Sequence, residues 1–271
     1  MIKKTMFIAT MLLTMSLNAQ EQPEKTNKTT SVEDNATYKL AVNKGKLQIN
    51  LGKATIEGYD GKEIVFSAKK TKESTDERAK GLRAINAMGL TDNTGLGINV
   101  EEKNGVIDVK QLSRINPPNI KILVPRGVTI VYEHQSQFGS TITFKNIENE
   151  VEATASYNNI VLENVTGPAT INTIYGSIDA KFSQNVKGPL SLVSIYGHVD
   201  ASIPKSSKAN VKLTTSFGDI LIAPELSLKL EANNSSSDMI KINNQATGTL
   251  NGGGTSFLFR SDYSKIYLRA L

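Results

Sequence analysis

The sequence predicts an all-β fold, a single-stranded β-solenoid or β-helix-like stack with repeats of about 20 residues. Three observations lead there. One phrase recurs through residues 151–222, as "VEATASYNNIVLEN", "ATINTIYGSIDAKF", "LSLVSIYGHVDASI" and "VKLTTSFGDILI". Its aromatic marks, Phe138, Tyr157, Tyr175, Tyr196 and Phe217, are 19, 18, 21 and 21 residues apart. Within each phrase apolar residues alternate with Asn, Ser, Thr and Lys, the period-two pattern of a strand with one buried face.

The in-phase positions of the first run are Val151, Ala153, Ala155 and Tyr157, then Ala169, Ile171, Thr173 and Tyr175. Leu190, Leu192, Ser194 and Tyr196 follow, then Val211, Leu213, Thr215 and Phe217. Counted this way, the aromatics fall on the inner face. After each comes Asn158, Gly176, Gly197 or Gly218, residues that accept the backbone of a sharp corner. A second run then buries Ile160 and Leu162, Ile178 and Ala180, Val199 and Ala201, or Ile220 and Ile222. Like residues at like places would form ladders about 4.8 Å apart along an axis. The unit at Phe138, "HQSQFGSTITF", is out of register: three residues past Phe138 lies Thr141, while Ile142 and Phe144 carry the apolar weight. An antiparallel sandwich with evenly spaced strands is the competing architecture.

The N-terminal residues 1–19 read as a secretory signal, with Lys3 and Lys4 before the apolar run from Met6 to Leu17 and a small Ala19 at the cut. An uncleaved anchor is the rival reading, although the run is short for a membrane span. No cysteine occurs in the 271 residues, which excludes disulfides, thiol catalysis and lipidation of a cysteine. Removing the signal takes away two lysines and no acid, so the formal charge falls from +5 to +3. Basic and acidic side chains are interspersed, and nucleic-acid binding, which calls for a concentrated basic patch, is not expected.

Residues 20–37 read as a polar linker, and the β-strand-repeat domain spans 38–271, most regular over 130–222. Leu47, Ile49 and Leu51 form one early strand and Ile64 and Phe66 another, with Asp60-Gly61 in a tight turn between them. In this short N-terminal β segment Ala79, Leu82, Ile85 and Met88 are spaced for one short amphipathic helix. Asn104-Gly105 marks a hairpin, and Pro125-Arg126-Gly127 a turn between two strands. Beyond Ile222 the aromatic-Gly mark disappears. Phe257, Phe259, Tyr263 and Tyr267 are read as a cover for the open end of the stack.

The layout resembles the bacterial putative-adhesin family of β-strand-repeat proteins, a domain of unknown function. The resemblance lies in "KGKLQINLGKATIEGYDGKEIVFSAKK" followed by "IKILVPRGVTIVYE", and in the ladder "SQFGSTITF", "TIYGSIDAKF", "SIYGHVDASI" and "TSFGDILI". It covers residues 38–271 and implies an exported or envelope-associated protein without agreed catalytic residues. Most corners here read aromatic-Gly where many members carry a small polar residue before Gly, so no ligand specificity transfers.

The chemistry-bearing residues point away from catalysis. His134 is in phase with Tyr132 and is expected inside, hydrogen-bonded; His198 is expected outside, in another repeat, so the two do not suggest a metal site. Asp179, Asp200, Asp219 and Asp238 recur, but Asp219 lies two residues past its aromatic and the others differ, so the four are read as exposed turn acids that do not stack. The calcium-binding nonapeptide is absent. Ser202 to Lys205, "SIPK", has the spacing of acyl-serine enzymes but ends a strand, and Gly252 to Gly254 precedes no helix that could cradle phosphate. No catalytic, cofactor or metal residue is assigned. The expectation is a non-enzymatic exported scaffold with an adhesive or surface-interaction role, binding a protein or carbohydrate, with self-association through exposed strand edges. A periplasmic structural or envelope-stress component is the alternative. A polysaccharide-cleaving β-helix enzyme would need paired carboxylates in a groove, which the phase of the acids does not support.

Overall fold

Short alternating runs, each ended by Gly, Pro or Asn, have too few residues for anything but strands. In the computed structural model they form two large β-sheets. The structure describes residues 35–69, 78, 81–82, 85–231 and 244–271. The leader, all but the end of the linker, and Ala79 and Asp238 lie outside the described residues.

The strands are β1 (Asn35–Leu40), β2 (Gly45–Asn50), β3 (Ala54–Tyr59), β4 (Ile64–Lys69), β5 (Ile98–Lys103), β6 (Val106–Gln111) and β7 (Ile120–Pro125). Next come β8 (Val128–His134), β9 (Ile142–Lys145), β10 (Val151–Ala155), β11 (Ile160–Val165), β12 (Ala169–Thr173), β13 (Ile178–Phe182) and β14 (Leu190–Ser194). The rest are β15 (Val199–Ile203), β16 (Ala209–Thr215), β17 (Ile220–Ile222), β18 (Lys229–Leu230), β19 (Asn244–Leu250), β20 (Thr255–Ser261) and β21 (Ile266–Ala270). The protein is all-β: its two sheets are mixed and neither closes into a barrel. One sheet runs β1-β4-β7-β3-β9-β11-β13-β15-β21-β17, the other β18-β19-β16-β20-β14-β12-β10-β8-β2-β6-β5.

From β8 to β17 the chain alternates between the sheets, one strand in each, and neighbours within a sheet are parallel. Parallel neighbours need a crossover connection, and here the strand in the opposite sheet supplies it. Each such pair is called a rung below. The pairing carries Ile142, Ile160, Ile178, Val199, Ile266 and Ile220 into one buried or half-buried column in the first sheet, and the register shift between Glu163 and Val165 falls beyond it. A one-residue slip would turn every one of these to solvent, and burying each is worth about 1.5–3 kcal/mol.

Rung order departs from chain order at both ends. The rung β20–β21 lies between β14–β15 and β16–β17, and β2–β3 lies between β6–β7 and β8–β9. Phe257 and Phe259 are therefore core residues of an interior rung and do not cover an open end. The cover on the second sheet is antiparallel β19, paired along β16 from Ala209 to Thr215. At the opposite end β5 covers β6, and β4 with β1 covers β7, also antiparallel.

Asn104 and Gly105 have φ of 53° and 77°, as a tight hairpin turn between β5 and β6 requires. Asp60-Gly61 does turn the chain, but β3 and β4 are not paired, because β7 lies between them. No α-helix occurs among the described residues, and of the stretch expected to form one, residues 81–82 and 85–88 are described and are not helical. Leu82, Ile85 and Met88 are exposed, so their helical spacing has no surface to bury against. Asn86 instead folds its side chain back onto the amides of Met88 and Leu90. The described strand also begins at Asn35, earlier than Tyr38.

Candidate functional site: an exposed ladder of rings

The corner from the second sheet to the first follows one plan in four rungs. The last inner residue of the incoming strand is a hydroxyl: Thr173, Ser194, Ser261 or Thr215, all buried. Each donates to the corner carbonyl of the rung before it. Thr173 reaches the Asn158 carbonyl at 3.2 Å, Ser194 that of Gly176 at 2.8 Å, Ser261 that of Gly197 at 2.8 Å and Thr215 that of Ser264 at 3.2 Å. Three also accept from an amide three residues on, those of Gly176, Gly197 and Gly218 at 3.2, 2.9 and 2.9 Å. A buried hydroxyl with both roles filled carries no desolvation penalty.

The glycines are needed for space and not for a left-handed backbone: none of these three has positive φ. A Cβ on Gly176, Gly197 or Gly218 would collide with the carbonyl oxygen of Asn158, Gly176 or Ser264, respectively.

Two residues after each hydroxyl, or after Ala155, stands the aromatic. The strand has already ended there, so the chain turns and the side chain leaves the core. The prediction that the rings face inward is thus overturned: Tyr157, Tyr175, Tyr196, Tyr263 and Phe217 are 44–65 % exposed. They stack on one another, with centroids 4.9 Å apart for Tyr157–Tyr175, 5.1 Å for Tyr175–Tyr196, 5.0 Å for Tyr196–Tyr263 and 4.9 Å for Tyr263–Phe217. Interplanar angles are 5–18°. Four rung spacings make a ridge roughly 20 Å long. Tyr263 belongs to it although no Gly follows, whereas Phe138 does not stack in it. Phe138 sits in a corner lengthened between His134 and Ile142, which also resolves the register break there.

At that lengthened corner the hydroxyl column is replaced. His134 pairs in register with Ala155, a large side chain beside a small one. The buried Asn158 amide donates to the carbonyls of Gly52 at 2.9 Å and Ser140 at 2.6 Å. Its oxygen therefore faces His134 Nδ1 at 2.7 Å and accepts that proton. Burial, the larger influence, holds the His134 imidazole below its ordinary value, while the bond to Asn158 opposes part of the effect. The buried Tyr132 hydroxyl donates to the Leu51 carbonyl at 2.9 Å, and burial pushes its ionisation up.

His198 projects from the outer face of the first sheet, as expected, with Nε2 2.9 Å from Asp179. The acids need correcting. Asp179 and Asp200 are mid-strand register partners and do stack, whereas Asp219 stands before β17 and pairs with Lys265 at 3.2 Å. Asp200 receives a two-toothed contact from Arg269, at 2.7 and 2.8 Å, so both stacked carboxylates are engaged. They border a shallow groove of about 770 Å³ with Lys145, Glu163, Lys181 and Arg269 on its walls. Ser202 lies in β15 and Lys205 in the turn after it. Gly252 and Gly253 take positive φ in the β19–β20 turn. Among the described residues no group of three or more His, Asp or Glu side chains could hold a metal, and no helix is long and apolar enough to cross a membrane.

The ridge was missed in the sequence because counting by two was carried past the strand end. The offsets were there to find. Residues 151, 153, 155, 157 and 160 are repeated as 257, 259, 261, 263 and 266, so the last rung is written in the same phrase with Ser264 in place of glycine.

Compared with known proteins, the chain matches no protein-family profile and no curated protein. A crystal structure of a putative cell adhesion protein from Clostridium sporogenes is similar to it, with 14 % identity and a TM-score of 0.44 over 88 % of this chain and 99 % of that one.

Proposed function

We propose that the protein is an exported β-repeat scaffold without catalytic activity, acting as an adhesin or surface-interaction module. In this reading the two sheets are the walls of one single-stranded β-solenoid, and the signal-like residues 1–19 direct export. The observation that carries the reading is the ridge of half-exposed rings. Five large aromatics stand in line with about half of their surface open to solvent, and contiguous exposed apolar patches of this kind mark interaction sites.

Protease shaving of intact cells carrying a C-terminally tagged copy tests it, with lysed cells as control. Loss of the tag on intact cells, together with weaker attachment of a deletion strain to surfaces or other cells, is the expected result. Protection until lysis, with attachment unchanged in the deletion strain, would refute surface adhesion and leave the periplasmic envelope component as the better account.

A further inference from the structure

We propose that the aromatic ridge is a binding site for an extended, uncharged polysaccharide lying along the axis of the stack. The inference rests on the surface-interaction reading above and names its ligand class.

The argument begins with what the ridge leaves open. Tyr175, Tyr196 and Tyr263 each have a ring neighbour on both faces, so their π-faces are already occupied. A partner meets ring edges and, at the tips, the phenolic hydroxyls of Tyr157, Tyr175, Tyr196 and Tyr263. Ring edges carry the positive part of the aromatic quadrupole, and a phenol donates and accepts. Such a surface suits a ligand rich in oxygen. It does not suit one that needs an open face to stack upon, which removes nucleic-acid bases and planar aromatic compounds from consideration.

Spacing narrows the choice. The hydroxyl-bearing rings recur every 4.9–5.1 Å. An extended polypeptide repeats every 3.3 Å or so, or about twice that for side chains on one face, and falls out of step within a few rungs. A linear polysaccharide in extended form advances one sugar ring over a distance comparable to the rung spacing, so each phenol can meet a hydroxyl or ring oxygen of its own sugar.

Charge narrows it again. The acids and bases flanking the ridge are paired with one another: His198 with Asp179, Lys265 with Asp219 and Arg260 with Asp262. No uncompensated cation among these awaits a sulfated or phosphorylated polymer. A second copy of this chain shares the rung spacing, but ridge against ridge would bring ring edges of like polarity together.

The test compares wild type with the triple variant Tyr175→Phe, Tyr196→Phe, Tyr263→Phe, which keeps the stack and removes three hydroxyls. Native gels containing hydroxyethylcellulose, xylan or barley β-glucan measure binding by retardation, with dextran sulfate as the charged control. Thermal melting checks the fold. We expect retardation by at least one neutral polymer, weakened at least about tenfold in the variant, with melting unchanged. The proposal is overturned if no neutral polymer retards the wild type, if dextran sulfate alone does, if the variant binds as well as wild type, or if a concentration-dependent dimer of the wild type disappears in the variant. Wild-type cells that attach through this protein while no neutral polymer retards it would remove the ligand class and leave the adhesive role. A deletion strain that attaches normally would remove the role itself, whatever the gels show.

Discussion

The two sides of one corner are built to different standards. On the inside, each hydroxyl of Thr173, Ser194, Ser261 and Thr215 is buried and bonded to the preceding rung, and Gly176, Gly197 and Gly218 leave no room for a methyl group. On the outside, five rings touch mainly one another and stand half in solvent. The spacing of the rungs is thus set from within, by backbone ladders and buried hydroxyls, and the rings inherit it. Rings placed on a spacing that the backbone fixes keep about half of their surface for contact.

Substitutions can break that contrast or sharpen it. The greatest loss is expected for Gly197→Ala, whose new Cβ meets the Gly176 backbone carbonyl. Overpacking that forces backbone shifts costs about 1–3 kcal/mol and occasionally more, and with a backbone carbonyl on the other side the upper end is expected, read as a lower midpoint in urea. Next comes Asn158→Ala, which takes the side-chain partner from the Ser140 carbonyl and the His134 proton and leaves the Gly52 carbonyl only the Ser140 amide, at about 2–3 kcal/mol. Ser194→Ala leaves the Gly176 carbonyl and Gly197 amide without their shared partner and should cost about 1 kcal/mol.

A pH scan isolates the His134 end of the column. Its imidazole is held below the unfolded value of 6.5, so the unfolded chain takes the proton more readily. Stability is full above that value and drains as pH falls through the folded one. The carboxyls of Asp92 and Glu57 are also held below their ordinary values, 3.8 and 4.5, and lose their contribution at lower pH. Melting of the wild type should therefore decline as pH falls below 6.5 and before those carboxyls titrate, and His134→Gln should flatten that stretch. A decline of equal slope in the variant would assign the effect elsewhere. Smallest of all is Tyr196→Phe, which keeps its stacking and should change stability by less than about 0.5 kcal/mol. A larger loss would show that the outer side of the corner also holds the fold.

Strand identity was legible because alternation survives in every repeat, and the buried Ile160, Ile178 and Val199 lie where period two puts them. His134 inside and His198 outside were legible for the same reason. The direction of Tyr175 was not, since Thr173 is the last residue of β12 and alternation has no meaning beyond it. The side-by-side placement of Asp179 and Asp200 could be counted, both lying four residues past their tyrosines, but it was masked by Asp219, which follows a different offset. The place of β20–β21 between β15 and β17 could not be counted at all. Sequence spacing measures distance along the chain, and that rung is inserted against chain order.

That insertion has a consequence for how the molecule is made. Synthesis runs from β1 to β21, but only the stretch from β8 to β15 is laid down in the order in which it is stacked. When Ile222 leaves the ribosome, the strand it must lie against, Ile266–Ala270, has not been made. Likewise β2 and β3 emerge before both of the rungs that will enclose them. The end at β16–β17 is thus finished late, and the rung that splits β15 from β17 is the last strand pair of the described chain to be translated.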